Sequence, residues 1–237
     1  MTRFMTLLVS LGLASALIAQ STPSPVAPST ARGEWPTYGG DLASSKYSPL
    51  AQITAANFGS LKLAWRAKSP DGFLSLTLAD GTEWSADSKL IFDELNRSDP
   101  KRWRDGQPPF VQNYKATPLM VNGTVYVNTA ASVGAAYDAR TGALKWLYNP
   151  KSYESGTTTL TLRWNQRGVA YWTDPSTSLR AGGGDERIYW GTGDGYLVCV
   201  DAKTGKPVAG FGQNGKVDLM EGLPRAQRGT RDYLNAL

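Results

Sequence analysis

The sequence predicts an all-β fold that forms part of a β-propeller. Three observations support this prediction: two tight hairpin turns, a four-stranded unit around each of them, and one turn sequence that occurs twice. Asp138-Ala139-Arg140-Thr141-Gly142 returns as Asp201-Ala202-Lys203-Thr204-Gly205, 63 positions later. A repeated four-stranded unit is typical of a propeller blade, because such a unit cannot bury both faces alone and must stack on a neighbour.

The N-terminal region is predicted to direct export. Residues 1–19 combine Arg3, an apolar run that is too short to span a bilayer, and an Ala14-Ser15-Ala16 cleavage site, which together are typical of a signal peptide. An uncleaved membrane anchor is the alternative. Residues 20–33 are predicted to be an extended linker rich in Pro, Ser and Thr.

Residues 34–66 are predicted to be a turn-rich opening segment that leads into the propeller. One helical turn is expected near Thr54–Phe58, with Thr54 as its cap, followed by a strand that ends at Trp65.

Residues 67–112 are predicted to be an insertion with a helical stretch at about 85–96. A loop of this length in a compact fold is often functional, so it is a candidate for shaping a substrate entrance. Its acidic residues lack the spacing of a calcium-binding loop, so a solvated charged surface is the preferred interpretation over a metal site. These residues are Asp87, Asp93, Glu94, Asp99 and Asp105.

Residues 113–150 are predicted to form the first blade. Its strands are expected at Pro118–Val121, Thr124–Asn128, about 133–138 and Leu144–Tyr148, and the Asn122-Gly123 pair suits a two-residue hairpin turn. The second blade is assigned to residues 151–237, with the start of the next connection. Its strands are expected at about 167–172, 187–191, 195–200 and 207–211.

Composition excludes several functional classes. The chain has no histidine, so it holds neither a Ser-His-Asp triad nor a His-ligated metal. Its single cysteine, Cys199, forms no internal disulfide and is predicted to be buried in a strand. The net charge of +5 is scattered rather than clustered with aromatic residues, so nucleic-acid binding is not predicted.

The repeats and the opening segment resemble those of the pyrroloquinoline-quinone (PQQ) dehydrogenases. Both blades follow the pattern A-x-D-A-x-T-G-x-x-x-W, which carries Trp146 in the first blade and Ala209 at the matching position of the second. W-P-T-Y-G-G, K-Y-S-P-L-A-Q-I and N-F-G-S-L-K-L-A-W are similar to the family's opening. The resemblance implies an eight-bladed propeller, of which this chain would supply about two blades as an N-terminal piece.

The resemblance also implies cofactor-binding residues. Arg167, in R-G-V-A-Y, matches the arginine that points at the quinone oxygens, where it would be catalytic by stabilising developing charge. The alternative is a structural ion pair. Lys115 stands where many relatives place a glutamate that contacts PQQ, so it either binds a cofactor carboxylate or marks a lost contact. Arg163 or Trp164 is a candidate for stacking on the cofactor, although Trp164 alternatively belongs to the core.

The implied function is oxidation of a sugar or alcohol hydroxyl, with PQQ and calcium as cofactors and a quinone or cytochrome as electron acceptor. No residue of this chain matches the family's calcium ligands or catalytic aspartate, so no metal ligand is assigned. The expected location is the periplasm, with possible peripheral association with the membrane. The alternatives are a non-catalytic propeller that acts as a binding or assembly scaffold, and a carbohydrate-binding module.

Overall fold

A computed structural model describes residues 28–67, 69–71, 94, 97–98, 115–155, 166–174 and 185–222. This part of the chain contains two antiparallel four-stranded sheets, so the predicted all-β architecture is confirmed there. It contains no helix that is long and apolar enough to cross a membrane. The predicted signal peptide lies outside the described residues, as does the predicted helix at 85–96 apart from Glu94.

The first sheet has the strand order β1-β2-β3-β4. Its strands are β1 (Leu119–Val121), β2 (Thr124–Asn128), β3 (Gly134–Asp138) and β4 (Leu144–Tyr148). Asn122 and Gly123 join β1 to β2 with φ values of 49° and 67°. Both residues thus adopt the left-handed region that a two-residue hairpin turn requires. The predicted strands of the first blade are therefore confirmed to within one residue.

The second sheet repeats this arrangement in the order β5-β6-β7-β8. Its strands are β5 (Ala170–Thr173), β6 (Glu186–Gly191), β7 (Tyr196–Asp201) and β8 (Lys216–Asp218). Cys199 lies on β7 with no exposed surface, as predicted. The sequence placed the last strand at about 207–211, and this placement is wrong.

The displaced strand has a local cause. Pro207 has no N–H to donate to a strand ladder and forms only an isolated bridge with Val200. The chain then makes a second turn at Asn214 and Gly215, whose φ values are 50° and 84°. Pairing with β7 resumes only after this turn, where Val198 faces Lys216.

The two repeated turns have the same internal hydrogen bonds. Asp138 Oδ1 accepts from Thr141 N (2.9 Å) and Thr141 Oγ1 (3.0 Å). Asp201 Oδ1 accepts from Thr204 N and Thr204 Oγ1, both at 2.7 Å. Gly142 and Gly205 close the turns with φ values of 72° and 69°, which favour glycine.

Each turn is covered by an indole from the preceding part of the chain. Trp146 Nε1 donates to the Ala202 carbonyl at 2.8 Å, and its ring lies over Gly205. Trp65 Nε1 donates to the Ala139 carbonyl at 3.0 Å, and its ring lies over Gly142. The second blade therefore receives an indole from the first in the same way that the first receives one from the opening segment.

The core lies between the two sheets. Tyr126 and Trp146 of the first sheet pack in one cluster with Ile188, Trp190 and Val198 of the second. This buried apolar contact is the main source of stability for the pair, because neither sheet can cover this face alone.

The opening segment joins the first sheet through main-chain hydrogen bonds. Trp35 N donates to Met120 O at 2.8 Å, and Met120 N donates to Trp35 O at 3.0 Å. A short 3-10 helix spans Phe58–Ser60, close to the predicted helical turn. Its N-cap residue is Asn57 rather than the predicted Thr54, and the Asn57 side chain accepts from Thr54 N at 2.7 Å instead of from the helix.

The predicted strand that ends at Trp65 is wrong. Residues 61–67 have no strand pairing, because no strand in the described part of the chain lies beside them. Several apolar side chains of the opening segment are exposed: Tyr38, Leu42, Tyr47, Leu50, Ile53, Phe58, Leu61 and Leu63.

Candidate functional site

A groove of about 400 Å³ lies at the start of the second sheet, beside the opening segment. Its walls are largely apolar, and Arg167 is among the residues that line it. The groove is lined by Tyr38, Thr117, Arg167, Gly168, Val169, Ala170, Tyr189, Trp190, Gly191 and Leu197. The predicted site residue Arg167 therefore lies on a concave surface, and small-molecule sites are concave.

The backbone of Arg167 is fixed by the first blade. Thr117 N donates to the Arg167 carbonyl at 3.1 Å, and Thr117 forms a parallel bridge with Gly168. Gly168 has a φ of 141°, and a Cβ atom there would lie 3.0 Å from the Thr117 carbonyl oxygen. Glycine is therefore needed after Arg167 so that the two backbones can approach this closely.

Lys115 lies on the segment that runs beside Arg167. It precedes Thr117 by two residues, and its side chain is exposed, as is that of Arg167. Within the described part of the chain, neither cation has a carboxylate partner. The structural ion pair that was the alternative for Arg167 is thus not seen among those residues.

The aromatic and thiol groups near the groove carry no charge at neutral pH. Burial raises the pKa of the Tyr189 phenol, and burial also raises that of the Cys199 thiol beside it. Both groups therefore stay protonated, and Arg167 is the charged residue among those that line the groove. The arrangement suits a flat molecule that carries negative groups.

A buried polar cluster lies directly behind Arg167. Gln166 Nε2 donates to Ser132 Oγ at 3.1 Å, and Asn128 Nδ2 donates to Gln166 Oε1 at 3.2 Å. Ser132 Oγ also accepts from Gly193 N at 3.0 Å, and the Ser132 carbonyl accepts from Trp190 Nε1 at 2.8 Å. Ser132 and Asn128 have no exposed surface, so this cluster joins the two blades in the interior.

The sequence analysis did not identify this cluster. Gln166 is 34 and 38 positions from its two side-chain partners, and no local pattern marks such a contact. The loop that carries Ser132 is also held by Asp71, whose Oδ2 accepts from Ala131 N at 3.4 Å. Asp71 is only 5% exposed.

Other predicted site residues lie beyond the described residues. These are Arg163 and Trp164. Asp87, Asp93, Asp99 and Asp105, for which a solvated charged surface was preferred over a metal site, also lie outside the described residues. Glu94 is exposed and forms an ion pair with Arg97. Among the described residues, no group of three or more His, Cys, Asp or Glu side chains lies close enough to hold a metal ion.

The chain is similar to a known protein family over most of its length. Residues 35–236 match the family described as the glucose/ethanol/alcohol dehydrogenase β-propeller domain, PQQ. The quinoprotein glucose dehydrogenase of Gluconobacter oxydans (strain 621H) is 32% identical over 193 residues, which cover 78% of this chain and 20% of that protein. Quinoprotein glucose dehydrogenase A of Acinetobacter calcoaceticus is 31% identical over 223 residues, which cover 88% and 24%.

Among solved structures, the quinohemoprotein alcohol dehydrogenase of Comamonas testosteroni is similar, with a TM-score of 0.49 and 27% identity. The match covers 81% of this chain and 20% of that one. The chain therefore spans about a fifth of the length of these relatives.

Proposed function

Because the chain belongs to the glucose/ethanol/alcohol dehydrogenase family with a PQQ β-propeller domain, we propose that it is part of a quinoprotein dehydrogenase that oxidises a hydroxyl group. The proposed substrate is a sugar such as glucose, or an alcohol. The observation that carries the proposal is the exposed cation Arg167 at a largely apolar groove. Lys115 is a second exposed cation, two residues before Thr117, which lines the same groove.

The chemistry of this groove fits PQQ. The cofactor is planar and bears three carboxylates, so it needs cations at its rim and flat surfaces beside its rings. Arg167 would bind a negative group of the cofactor, and Lys115 is proposed to bind another. The partly exposed lining residues Tyr189 and Leu197 would supply apolar surface. When bound, PQQ supplies the acceptor for the two electrons that leave the substrate.

Arg167 has a second proposed role. A guanidinium presents a positive charge and several hydrogen-bond donors in one plane. Donors that are fixed in place stabilise negative charge that develops during reaction, because they need not reorganise at that moment. The main-chain bond from Thr117 holds the backbone from which this side chain extends.

The remaining parts of the reaction are assigned to the full propeller. We propose that calcium binding and proton abstraction depend on residues outside this chain, in accordance with the family resemblance. Transfer of electrons to a quinone or a cytochrome, export to the periplasm and peripheral association with the membrane are further parts of the proposal.

The test is a titration of the 237-residue chain with PQQ, in which tryptophan fluorescence reports binding. Arg167→Ala is expected to weaken binding about 10- to 100-fold, since a charge-assisted hydrogen bond is lost. Lys115→Ala is expected to weaken it less, and added salt should weaken binding to the unmodified chain. Arg140→Ala is the matched control, because Arg140 is an exposed arginine on the turn of the first blade. Binding that Arg140→Ala weakens as much as Arg167→Ala would show non-specific attraction and refute the proposal.

A further inference from the structure

We propose that Gln166 is a positioning residue for Arg167 and that it works together with Ser132 as a clamp between the blades. The inference rests on the proposed function, because it concerns how the chain holds the cation that meets the cofactor. It arises from the buried polar cluster, which the comparisons with known proteins do not describe.

The first step of the argument is connectivity. Gln166 is the residue before Arg167, and its side-chain amide uses both ends in contacts with the first blade. Its oxygen accepts from Asn128 at the end of β2, and its nitrogen donates to Ser132 in the loop that follows. The peptide that enters Arg167 is therefore held on the first blade by a side chain and, through Thr117 N, by the main chain.

The second step is the rigidity of the loop that receives Gln166. Ser132 has no exposed surface and adopts a φ of 66°, a strained value for a residue other than glycine. Such a conformation persists only where the surroundings fix it. Here the Ser132 carbonyl accepts from the Trp190 indole, and its hydroxyl accepts from both Gln166 and Gly193.

The third step is the mobility that Arg167 would otherwise have. Its side chain is exposed, and the paired strand β5 begins only at Ala170. On the C-terminal side, the Arg167 backbone is held by Thr117, through its bond to the Arg167 carbonyl and its bridge to Gly168. On the N-terminal side, the Gln166 side chain is the hold that the described residues show. Loss of that hold would let the backbone that enters Arg167 move, and the cation would sample more directions before it meets an anion.

The first experiment uses the chain without cofactor and measures amide hydrogen exchange. Thr117 N–H reports on the position of Arg167, because it donates to the Arg167 carbonyl. Gln166→Ala is expected to speed exchange at Thr117 about 5- to 30-fold, the factor that corresponds to the loss of one or two weak contacts. Asn122→Gly is the control: it removes an inter-blade contact to Glu186 at the opposite end of β2 and tolerates the positive φ. Unchanged exchange at Thr117 in Gln166→Ala would overturn the inference without affecting the proposed function.

The second experiment is a double-mutant cycle on PQQ affinity. Gln166→Ala is expected to weaken binding about 5- to 30-fold when Arg167 is present, and to have almost no effect in the Arg167→Ala background. Equal weakening in both backgrounds would indicate a merely structural role and overturn the inference. If Arg167→Ala itself leaves the affinity unchanged, both the proposed site and the inference fail.

Discussion

The two blades have the same turn but differ in the strand that follows it. In the first blade, β4 begins two residues after Gly142 and carries Trp146 opposite Ala136. In the second blade, ten residues separate Gly205 from β8, and the backbone N–H of Cys199 pairs with Gly215. The second sheet thus keeps the turn of the repeat but has no tryptophan on its last strand.

This difference separates local from non-local stabilisation. The turn is held by its own aspartate, threonine and glycine, so it forms in both blades whatever lies beside it. The hydrogen bond from the Trp146 indole to Ala202 joins residues that are 56 positions apart. Such a contact exists only where a tryptophan is present. A repeat can therefore preserve its turn while it loses its means of attachment to the next unit.

The largest effect is expected from Trp146→Ala, which would make the first blade resemble the second. Trp146 is 7% exposed and contributes both core packing and the hydrogen bond to Ala202. Its removal is expected to lower the free energy of unfolding by about 3–5 kcal/mol, as measured by urea denaturation. Leu147→Ala on the same strand is the control, because Leu147 is 45% exposed and its loss is expected to cost under about 1 kcal/mol. Similar costs for the two variants would contradict the role given to the indole.

A smaller effect is expected from Gly205→Ala. The new methyl group would lie 2.6 Å from the Trp146 ring. The alanine would also have to adopt the positive φ of 69° that Gly205 has. The expected loss is about 1–3 kcal/mol in the same measurement. Gly123→Ala measures the cost of a positive φ alone, because a Cβ atom there has no neighbour within 4 Å and the φ is 67°.

Gly142→Ala completes this comparison. It introduces the same clash with Trp65, which is less buried and has more room to move, so its cost should lie between those of the other two glycine variants. A cost for Gly205→Ala equal to that for Gly123→Ala would show that the indole does not press on the turn.

The smallest effect is expected from Asp138→Asn and should depend on pH. Hydrogen bonds from the Thr141 backbone and side chain lower the pKa of the exposed Asp138 carboxyl below its ordinary value of 3.8. The carboxylate therefore stabilises the folded state above that value, and this contribution disappears as the pH falls through the lowered pKa. Urea midpoints of the two proteins should differ at about pH 6 and converge near pH 2. A difference that stays constant over this range would exclude the charge as its cause.

The sequence was sufficient for those parts of the fold that local chemistry determines. Asn122-Gly123 and the Asp-to-Gly turns specify where strands end, and β2 and β4 were predicted with their observed bounds. The last strand of the second blade was misplaced because the apolar residues 207–211 resemble a strand. Asn214-Gly215, a hairpin signal of the same kind as Asn122-Gly123, was present and would have corrected it.

The sequence predicted only part of the candidate site. Arg167 and Lys115 were found by resemblance to a family, and whether they bind a cofactor stays a prediction. The Gln166–Ser132 clamp could not be foreseen, because its partners come together only when two sheets stack. Polar side chains that are buried by tertiary packing carry no periodic signal in the sequence.

The order in which each indole and its turn occur has a consequence for synthesis. Trp146 leaves the ribosome 56 residues before its acceptor, Ala202. At about 5–20 residues per second, the indole waits about 3 to 11 seconds before it can be covered. During this interval the apolar face of the first blade is exposed, so the growing chain passes through a stage at which a chaperone or a neighbouring nascent chain can compete for that face.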